Sequence, residues 1–406
     1  MDNAALYWVW LQQAVGQGSS AVPLLSDIFP SPKEIYNADK DALSKAGIGE
    51  KTLENLCNKS LVNAQKILDR SAKLGWYLTP DDELYPEILR QLYSPPLVLY
   101  GRGVLPDFDV TATPPVGVVG TRECTTYGKT VAGGIAAGLA AAGCIVVSGG
   151  ARGIDCAAHE GALYAGGTTV VIKPCGLNVE YPKITQKMRR NVLENNGAIL
   201  TEYPPDTPAH TYHYKVRNRL ISGLSWGVCV VEAPKISGAL ITARTAREQS
   251  RDVFAVPGNA LSPESEGSNA LIKEGATMVT RASEILGEYQ YRCRGTLQEE
   301  EADTAQEAYY QYVLNKPPFP QKAPAVRRRV ADATPVTFES SVSCPQNATP
   351  AAKQVFEALT DSPKTAEWLC ATTGLPAGKV FAALTELELF GCVTSYPGKR
   401  YSRLER

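Results

Sequence analysis

Residues Val116–Asp155 read VGVVGTRECTTYGKTVAGGIAAGLAAAGCIVVSGGARGID, and the order of their parts decides the fold. A short apolar run, Val116–Val119, breaks into Gly120-Thr121-Arg122. An Ala/Gly-rich segment of helix length follows, Gly128–Ala142, and then a second β-branched run, Ile145–Val147. The chain next enters Ser148-Gly149-Gly150-Ala151-Arg152-Gly153-Ile154-Asp155. Strand, loop, helix, strand, loop is a βαβ unit of a parallel sheet. Both loops leave the carboxyl end of a strand and open onto one sheet edge, where ligands of open α/β sheets bind.

The content of the two loops sets the ligand class. Glycine lets backbone N–H groups approach a ligand without a Cβ in the way. N–H groups at a helix start form an anion site, to which Arg122 and Arg152 add full charge. Phosphate is the expected guest; the alternative is that the glycines only make tight turns and the arginines are solvated. A dinucleotide does not fit. The chain has Gly117-Val-Val-Gly120-Thr-Arg in place of G-x-G-x-x-G, and Ser148-Gly149-Gly150 where an acid would hold the ribose. A nicotinamide dehydrogenase is therefore disfavoured.

Downstream the alternation continues. Cys156–Ala165 is a predicted helix with Asp155 as its N-cap, Thr168–Ile172 a strand, Ile184–Asn195 a helix and Ala198–Thr201 a strand. Val228–Val231, a helix over Ala239–Gln249, Val253–Val256, and the runs Ala270–Lys273 and Ala276–Thr280 complete the series. The expectation is a doubly wound, Rossmann-like parallel sheet whose Gly and polar loops, Ser237-Gly238 among them, converge on one edge. The segment Glu202–Gly223 stands apart: Tyr203, Tyr212, His213 and Tyr214 are interleaved with or followed by Lys215, Arg217 and Arg219. Cations among aromatics suit single-stranded nucleic acid, the cations meeting phosphates and the rings stacking on bases. The competing reading makes the tyrosines core and the charges a solvated helix start; the neighbouring anion loops favour the first.

The rest of the 406 residues divides by composition. Residues 1–75 read as short helices, Ala4–Val15, Ala21–Ile28, Pro32–Asn37, Lys40–Ala46 and Glu50–Asp69. The turn Ala46–Thr52 resembles a helix-hairpin-helix, either a phosphate contact or a plain packing turn. The Rossmann-like domain spans 76–287, entered through extended pieces around prolines up to Gly103. Residues 288–348 read as a Pro- and charge-rich linker carrying Arg327-Arg328-Arg329, with Ala305–Leu314 as a short helix within it. Residues 349–406 read as a winged helix: helices Ala351–Leu359, Thr365–Thr373 and Ala377–Phe390, then a hairpin turning at Pro397-Gly398. Glu386 and Glu388 on its third helix argue for a protein contact or weak DNA contact over duplex reading.

Net charge is −1, with 41 basic and 42 acidic residues, so no global basic field exists and any nucleic-acid contact must be local. Ten cysteines occur without a C-x-x-C pair, several in apolar runs such as Cys144 and Cys229, the pattern of buried thiols in a reducing compartment. A supply of three histidines argues against a zinc site. No signal peptide or apolar run of membrane length is evident, so the expected location is the cytoplasm, with no membrane partner.

These motifs together resemble the bacterial DNA-processing protein A family (DprA, or Smf). The resemblance rests on GTR at 120–122, SGGARGID at 148–155, CGLNVEYP at 175–182, RNRLISGLS at 217–225, SGALITARTAREQSRDVFAVPG at 237–258 and GSNALIKEGA at 267–276. Gly150 departs from the usual Leu, and Tyr214-Lys215-Val216 departs from a more basic, Phe-containing pattern. The resemblance implies a non-enzymatic homodimer that binds and protects single-stranded DNA and loads the RecA recombinase onto it in natural transformation. It further implies Arg122 and Lys215 as the main backbone contacts, with Gly120, Thr121, Ser148, Gly149, Arg152, Arg217, Asn218 and Arg219 lining the pocket beside Ser237 and Gly238. Asn269–Met278 would form the dimer and recombinase seam, with Leu271, Ile272 and Met278 as an apolar stripe and Asn269, Lys273 and Glu274 around it. The same residues also admit a role capping the sheet internally. A membership of this kind implies a SAM-like N-terminal domain, and no catalytic residue, metal or cofactor.

The rival reading is a nucleotide-binding enzyme resembling nucleoside monophosphate glycosidases. Those use P-G-G-x-G-T-x-x-E, and here Thr245 stands where the Glu is required, so the acid–base carboxylate is missing. A Ser148–His159–Asp155 hydrolytic set can also be drawn, against which stands a packing role for His159 and a capping role for Asp155.

Overall fold

The computed structural model describes residues 4–108, 114–293, 297, 299–315, 348–360, 364–390, 392–396 and 400–403. The chain divides into two compact units, Met1–Ala325 and Val326–Arg406.

The first unit opens with six helices: α1 Ala4–Val15, α2 Ala21–Ser26, α3 Pro32–Asn37, α4 Lys40–Ser44, α5 Glu50–Cys57 and α6 Val62–Leu74. The predicted helix Glu50–Asp69 is thus two helices, broken at Asn58–Leu61. Packing explains the break: the Asn58 carbonyl accepts the Trp10 indole N–H at 2.8 Å, and the Lys59 ammonium donates to the Ile35 carbonyl while lying 5.1 Å from the Trp10 ring centroid. These contacts need a non-helical backbone, and they outweigh local propensity. Gly47, in the turn between α4 and α5, adopts φ +67°.

Nine strands then form one sheet, with a short α7 (Glu87–Arg90) between the first two: β1 Trp76–Leu78, β2 Leu99–Gly103, β3 Pro115–Val119, β4 Ile145–Ser148, β5 Thr169–Ile172, β6 Ala198–Thr201, β7 Gly227–Val230, β8 Asp252–Ala255 and β9 Thr277–Met278. Their order is β1-β2-β6-β5-β4-β3-β7-β8-β9. β1 and β2 pair antiparallel, as do β2 and β6, and all other neighbours pair parallel. Every residue of β3–β7 is buried, which is why the runs read as continuously apolar rather than alternating. β4 and β7 flank β3, so the strand order reverses there and the crevice for a ligand opens at its carboxyl end.

The helices that cover the sheet are α8 Thr126–Ala141, α9 Ile154–Tyr164, α10 Gln186–Glu194, α11 Thr211–Gly223, α12 Gly238–Glu248, α13 Glu266–Lys273 and α14 Ala282–Gly287. The Ala/Gly composition of α8 serves close packing. A Cβ on Gly161 of α9 would overlap the Gly133 carbonyl, so the two helices meet backbone to backbone. The short helix expected over Ala305–Leu314 is longer, α15 Glu299–Asn315, and it belongs to the first unit rather than to a linker. It packs on α8, with the Tyr309 and Tyr310 rings seated against Gly133 and Gly134, and Gln306 bridging the Ala282 N–H and the Thr280 carbonyl at 2.8 and 2.9 Å. Residues 316–347, including Arg327–Arg329, lie outside the described residues.

In the second unit, α16 Pro350–Ala358, α17 Ala366–Thr373 and α18 Ala377–Leu389 pack with β10 Lys364–Thr365, β11 Val393–Tyr396 and β12 Arg400–Arg403, giving three helices and a small sheet ordered β10-β12-β11. Glu386 does not face outward as a free charge: its carboxylate accepts the Thr349 N–H and hydroxyl at 2.8 and 2.6 Å, at the start of α16. The expected turn Pro397-Gly398 lies outside the described residues.

Candidate functional site

At the carboxyl ends of β3, β4 and β7 a cavity of about 720 Å³ opens. Nine of the sequence-derived DNA-binding residues line it: Gly120, Thr121, Arg122, Arg152, Lys215, Arg217, Asn218, Ser237 and Gly238. The walls are held by specific bonds. The Thr121 N–H donates to the Glu232 carbonyl at 2.7 Å, tying the loop after β3 to the loop after β7. Asn218 donates to the Gly238 carbonyl at 3.2 Å, fixing α11 against the start of α12, where the Ser237 hydroxyl accepts the Ala239 N–H. Tyr214, one of the rings the sequence offered for base stacking, and Tyr181, which the sequence reading did not assign to the site, form an aromatic wall with ring centroids 6.5 Å apart. The Arg122 guanidinium lies 4.4 Å from the Tyr214 centroid and Arg217 lies 5.8 Å from it. Burial, helped by the hydrogen bond that the Tyr214 hydroxyl donates to Tyr181, pushes the Tyr214 phenol up to about 12.

The cations are not equivalent. Arg122 and Lys215 are exposed, and among the described residues neither is ion-paired. Arg152 is exposed but engaged with Glu123 at 2.5 Å. Arg217 is buried and structural: its Nη1 donates to the carbonyls of Gly149 and Ile172 at 2.6 and 2.5 Å, and its Nε to Asn218 at 3.1 Å. Burial lowers the Arg217 pKa and raises that of Asp155, and each charge partly offsets the other's shift.

The loop after β4 departs from the expected anion cradle. Gly153 at φ +86°, not Asp155, is the N-cap of α9, because a Cβ there would overlap the Thr121 carbonyl. Asp155 sits in the first turn and accepts the Ala151 N–H at 3.3 Å, while the Ile154 N–H is taken by the Thr121 carbonyl. Asp155 thus places a carboxylate in the first turn of α9, which disfavours a second anion at this helix start and leaves Arg122 and Lys215 as the cavity's exposed cations without an ion pair among the described residues.

Three expected site residues lie elsewhere. Ser148 is fully buried and donates to the Val118 carbonyl at 2.6 Å. Gly149 serves as acceptor for Arg217. Arg219 turns to Glu202 and the Ser94 carbonyl. The expected seam also separates. Leu271 is buried in the main core rather than on an outer stripe, because α13 lays that face against β8. Asn269 is used internally, exchanging two 3.1 Å bonds with the Gly258 backbone, and Glu274 pairs with Arg247 at 3.1 Å. Ile272 is half-buried against the core; Lys273 and Met278 are exposed.

The drawn hydrolytic set is not assembled. His159 is buried, its Nδ1 lies 2.7 Å from the Thr169 hydroxyl, and burial lowers its pKa to about 3. Ser148 lies beside the Asp155 carboxylate, but its hydroxyl is given to the Val118 carbonyl and His159 stands on Thr169 with its Nε2 unbonded, so the imidazole does not link nucleophile and acid.

Residues 76–290 match the family model described as DNA recombination-mediator protein A, and residues 340–399 match the DprA winged helix domain. The chain is 32% identical over 409 residues to the protein Smf of Synechocystis, covering 99% of each. It is 40% identical over 210 residues to the DNA processing protein DprA of Streptococcus pneumoniae, which is 52% of this chain and 73% of that one. The X-ray structure of DprA from Streptococcus pneumoniae superposes with a TM-score of 0.59 at 31% identity, covering 70% of this chain and 97% of the other.

Proposed function

The chain belongs to the DNA recombination-mediator protein A family, and on that premise we propose that its sheet-edge cavity binds single-stranded DNA. The observation that carries the reading is the pairing of two uncompensated cations, Arg122 and Lys215, with two tyrosine rings in one recess. Phosphates meet the cations and unpaired bases meet the rings. Bases held inside a duplex have no free face to offer such a recess, so the geometry favours the single strand. The finer reading is that this non-enzymatic protein works in the cytoplasm as a homodimer. It protects incoming strands in natural transformation and passes them to the RecA recombinase, a step in keeping with a family of recombination mediators. Among the described residues no helix is long and apolar enough to cross a membrane.

The test is an anisotropy titration of labelled single-stranded and duplex DNA across a salt series. The single strand binds more tightly, and log K falls with log salt by about 0.7 for each phosphate neutralised. Equal affinity for duplex, or a flat salt response, overturns the proposal. Release of free base from nucleoside monophosphates would move the reading to the glycosidase class.

A further inference from the structure

A second cavity, of about 450 Å³, opens beside the first and differs from it in chemistry. Its lining contains no Lys, Arg or His. One wall is the half-exposed ring of Tyr127, fixed by a 2.8 Å bond from its hydroxyl to the Pro257 carbonyl. Its floor is the recessed carboxylate of Glu232, which accepts the Thr125 N–H at 2.9 Å and the Thr125 hydroxyl at 2.6 Å. Each carboxylate oxygen keeps further lone-pair capacity. The exposed Asn259 stands at the rim.

The two cavities are lined by neighbouring residues of the same two loops. Glu232 belongs to the second and Pro234 to the first; Ser262 belongs to the second and Glu264 to the first, and a 2.7 Å bond joins Ser262 to Glu264. Residues two apart are separated by at most about 7 Å of chain. A strand occupying one cavity therefore brings its neighbouring nucleotide to the other.

A phosphate is repelled by a carboxylate floor with no cation in the lining to offset it, whereas a flat base can lie on a tyrosine ring and give N–H groups to that carboxylate. We propose that this second cavity is a base subsite for the same strand, stacking an unpaired base on Tyr127 and favouring bases with an exocyclic amino group. The inference rests on the single-strand reading above and adds a base preference to it. Cytosine presents the amino group; thymine presents a carbonyl at the same position and is disfavoured against Glu232.

The experiment compares labelled oligodeoxycytidine and oligothymidine of equal length, two pyrimidine strands, on the full-length protein. The wild type binds oligodeoxycytidine more tightly. Tyr127→Leu keeps the apolar wall but removes the ring face, and it weakens oligodeoxycytidine binding about tenfold, within the range of one stacked base. Tyr127→Phe restores the affinity, and Glu232→Gln narrows the preference for cytosine over thymine. Equal wild-type affinity for the two strands, or Tyr127→Leu binding like the wild type, overturns the base subsite while leaving the single-strand reading intact. Failure of the wild type to bind either strand overturns the single-strand reading itself.

Discussion

Arg219 closes a bidentate ion pair on Glu202, with both carboxylate oxygens 2.5 Å from Nη2, beside the N-terminal helices and away from the cavity. The surrounding bonds tie two modules together: Gln12 donates to the Glu202 carbonyl at 3.1 Å, and Arg219 Nη1 to the Ser94 carbonyl at 2.8 Å. Arg219→Ala leaves a buried carboxylate without its partner, which costs about 3–5 kcal/mol. The urea midpoint should fall accordingly, while the salt dependence of DNA binding in the protein that remains folded is unchanged. A reduced salt slope would return Arg219 to the DNA contact that the sequence suggested.

That pair shows where sequence reading stops. Lys215, Arg217 and Arg219 look like one basic cluster, but Arg217 lies about 200° around the helix from either neighbour and faces the other way, and Arg219, which helix geometry places near the face of Lys215, is drawn off to Glu202. Only Lys215 stays exposed on the cavity; Arg217 turns inward to Gly149 and Ile172. The parallel strands and the loops after β3 and β7 were legible because burial on both sheet faces and Gly-rich strand ends leave local marks. The partner Glu202 for Arg219 left none, since that pairing depends on chain segments brought together only by the fold, whereas Asp155 was legible as a residue of the α9 start and only its exact position, in the first turn behind Gly153, was not. Of α15 only a short helix was legible; its seat on α8, where Tyr309 and Tyr310 fill the space over Gly133 and Gly134, depends on the fold.

Arg122 and Lys215 carry the opposite expectation. Both are exposed, so removing either costs little stability. Arg122→Ala and Lys215→Ala should each weaken single-strand binding, and each should reduce the salt slope by about 0.7, the value for one phosphate that no longer meets a cation. Anisotropy titrations at several salt concentrations read both quantities. Unchanged affinity in both variants would remove the cavity from DNA binding.

His159 gives the protein a pH-dependent liability. Its ordinary pKa of 6.5 is lowered to about 3 by burial, so the unfolded chain takes up a proton that the folded chain refuses. Stability is full above pH 6.5 and is lost as pH falls towards 3, with a slope of about 1.4 kcal/mol per pH unit from this group. Asp155 and Glu202, raised by burial, act with the opposite sign at acid pH. The difference between wild type and His159→Gln isolates the histidine: urea midpoints followed from pH 7 downward should converge as the wild type loses its advantage. Parallel curves would contradict the neutral, buried imidazole.

Leu271 and Met278 separate packing from assembly. Leu271 is 6% exposed in the main core, and Met278 is 56% exposed on the two-residue edge strand β9. Leu271→Glu buries an unpaired carboxylate and should cost at least about 3 kcal/mol, seen as a collapsed urea midpoint. Met278→Glu should leave the fold intact; if the proposed homodimer uses this edge, the variant elutes as a monomer on a sizing column. A dimeric Met278→Glu protein would place the seam elsewhere.

The boundary of the first unit follows from α15. Cutting after Leu286 removes Ala302, Gln306 and Tyr309, all buried, and opens the face of α8 lined by Gly133 and Gly134. It also strips the partner of the Ala282 N–H and the Thr280 carbonyl. Loss of one large buried ring is worth about 1.5–3 kcal/mol, and unmet backbone groups add to it, so this truncation should unfold at clearly lower urea than the full chain. Cutting after Asn315 keeps all of that packing and removes the winged helix. It should retain the full-length urea midpoint for the sheet-bearing unit and bind single-stranded DNA within a few-fold of the full chain, because the cavity lies wholly between Val119 and Glu264. If most of the affinity disappears with residues 316–406, the second unit carries the DNA contact and the sheet-edge cavity does not.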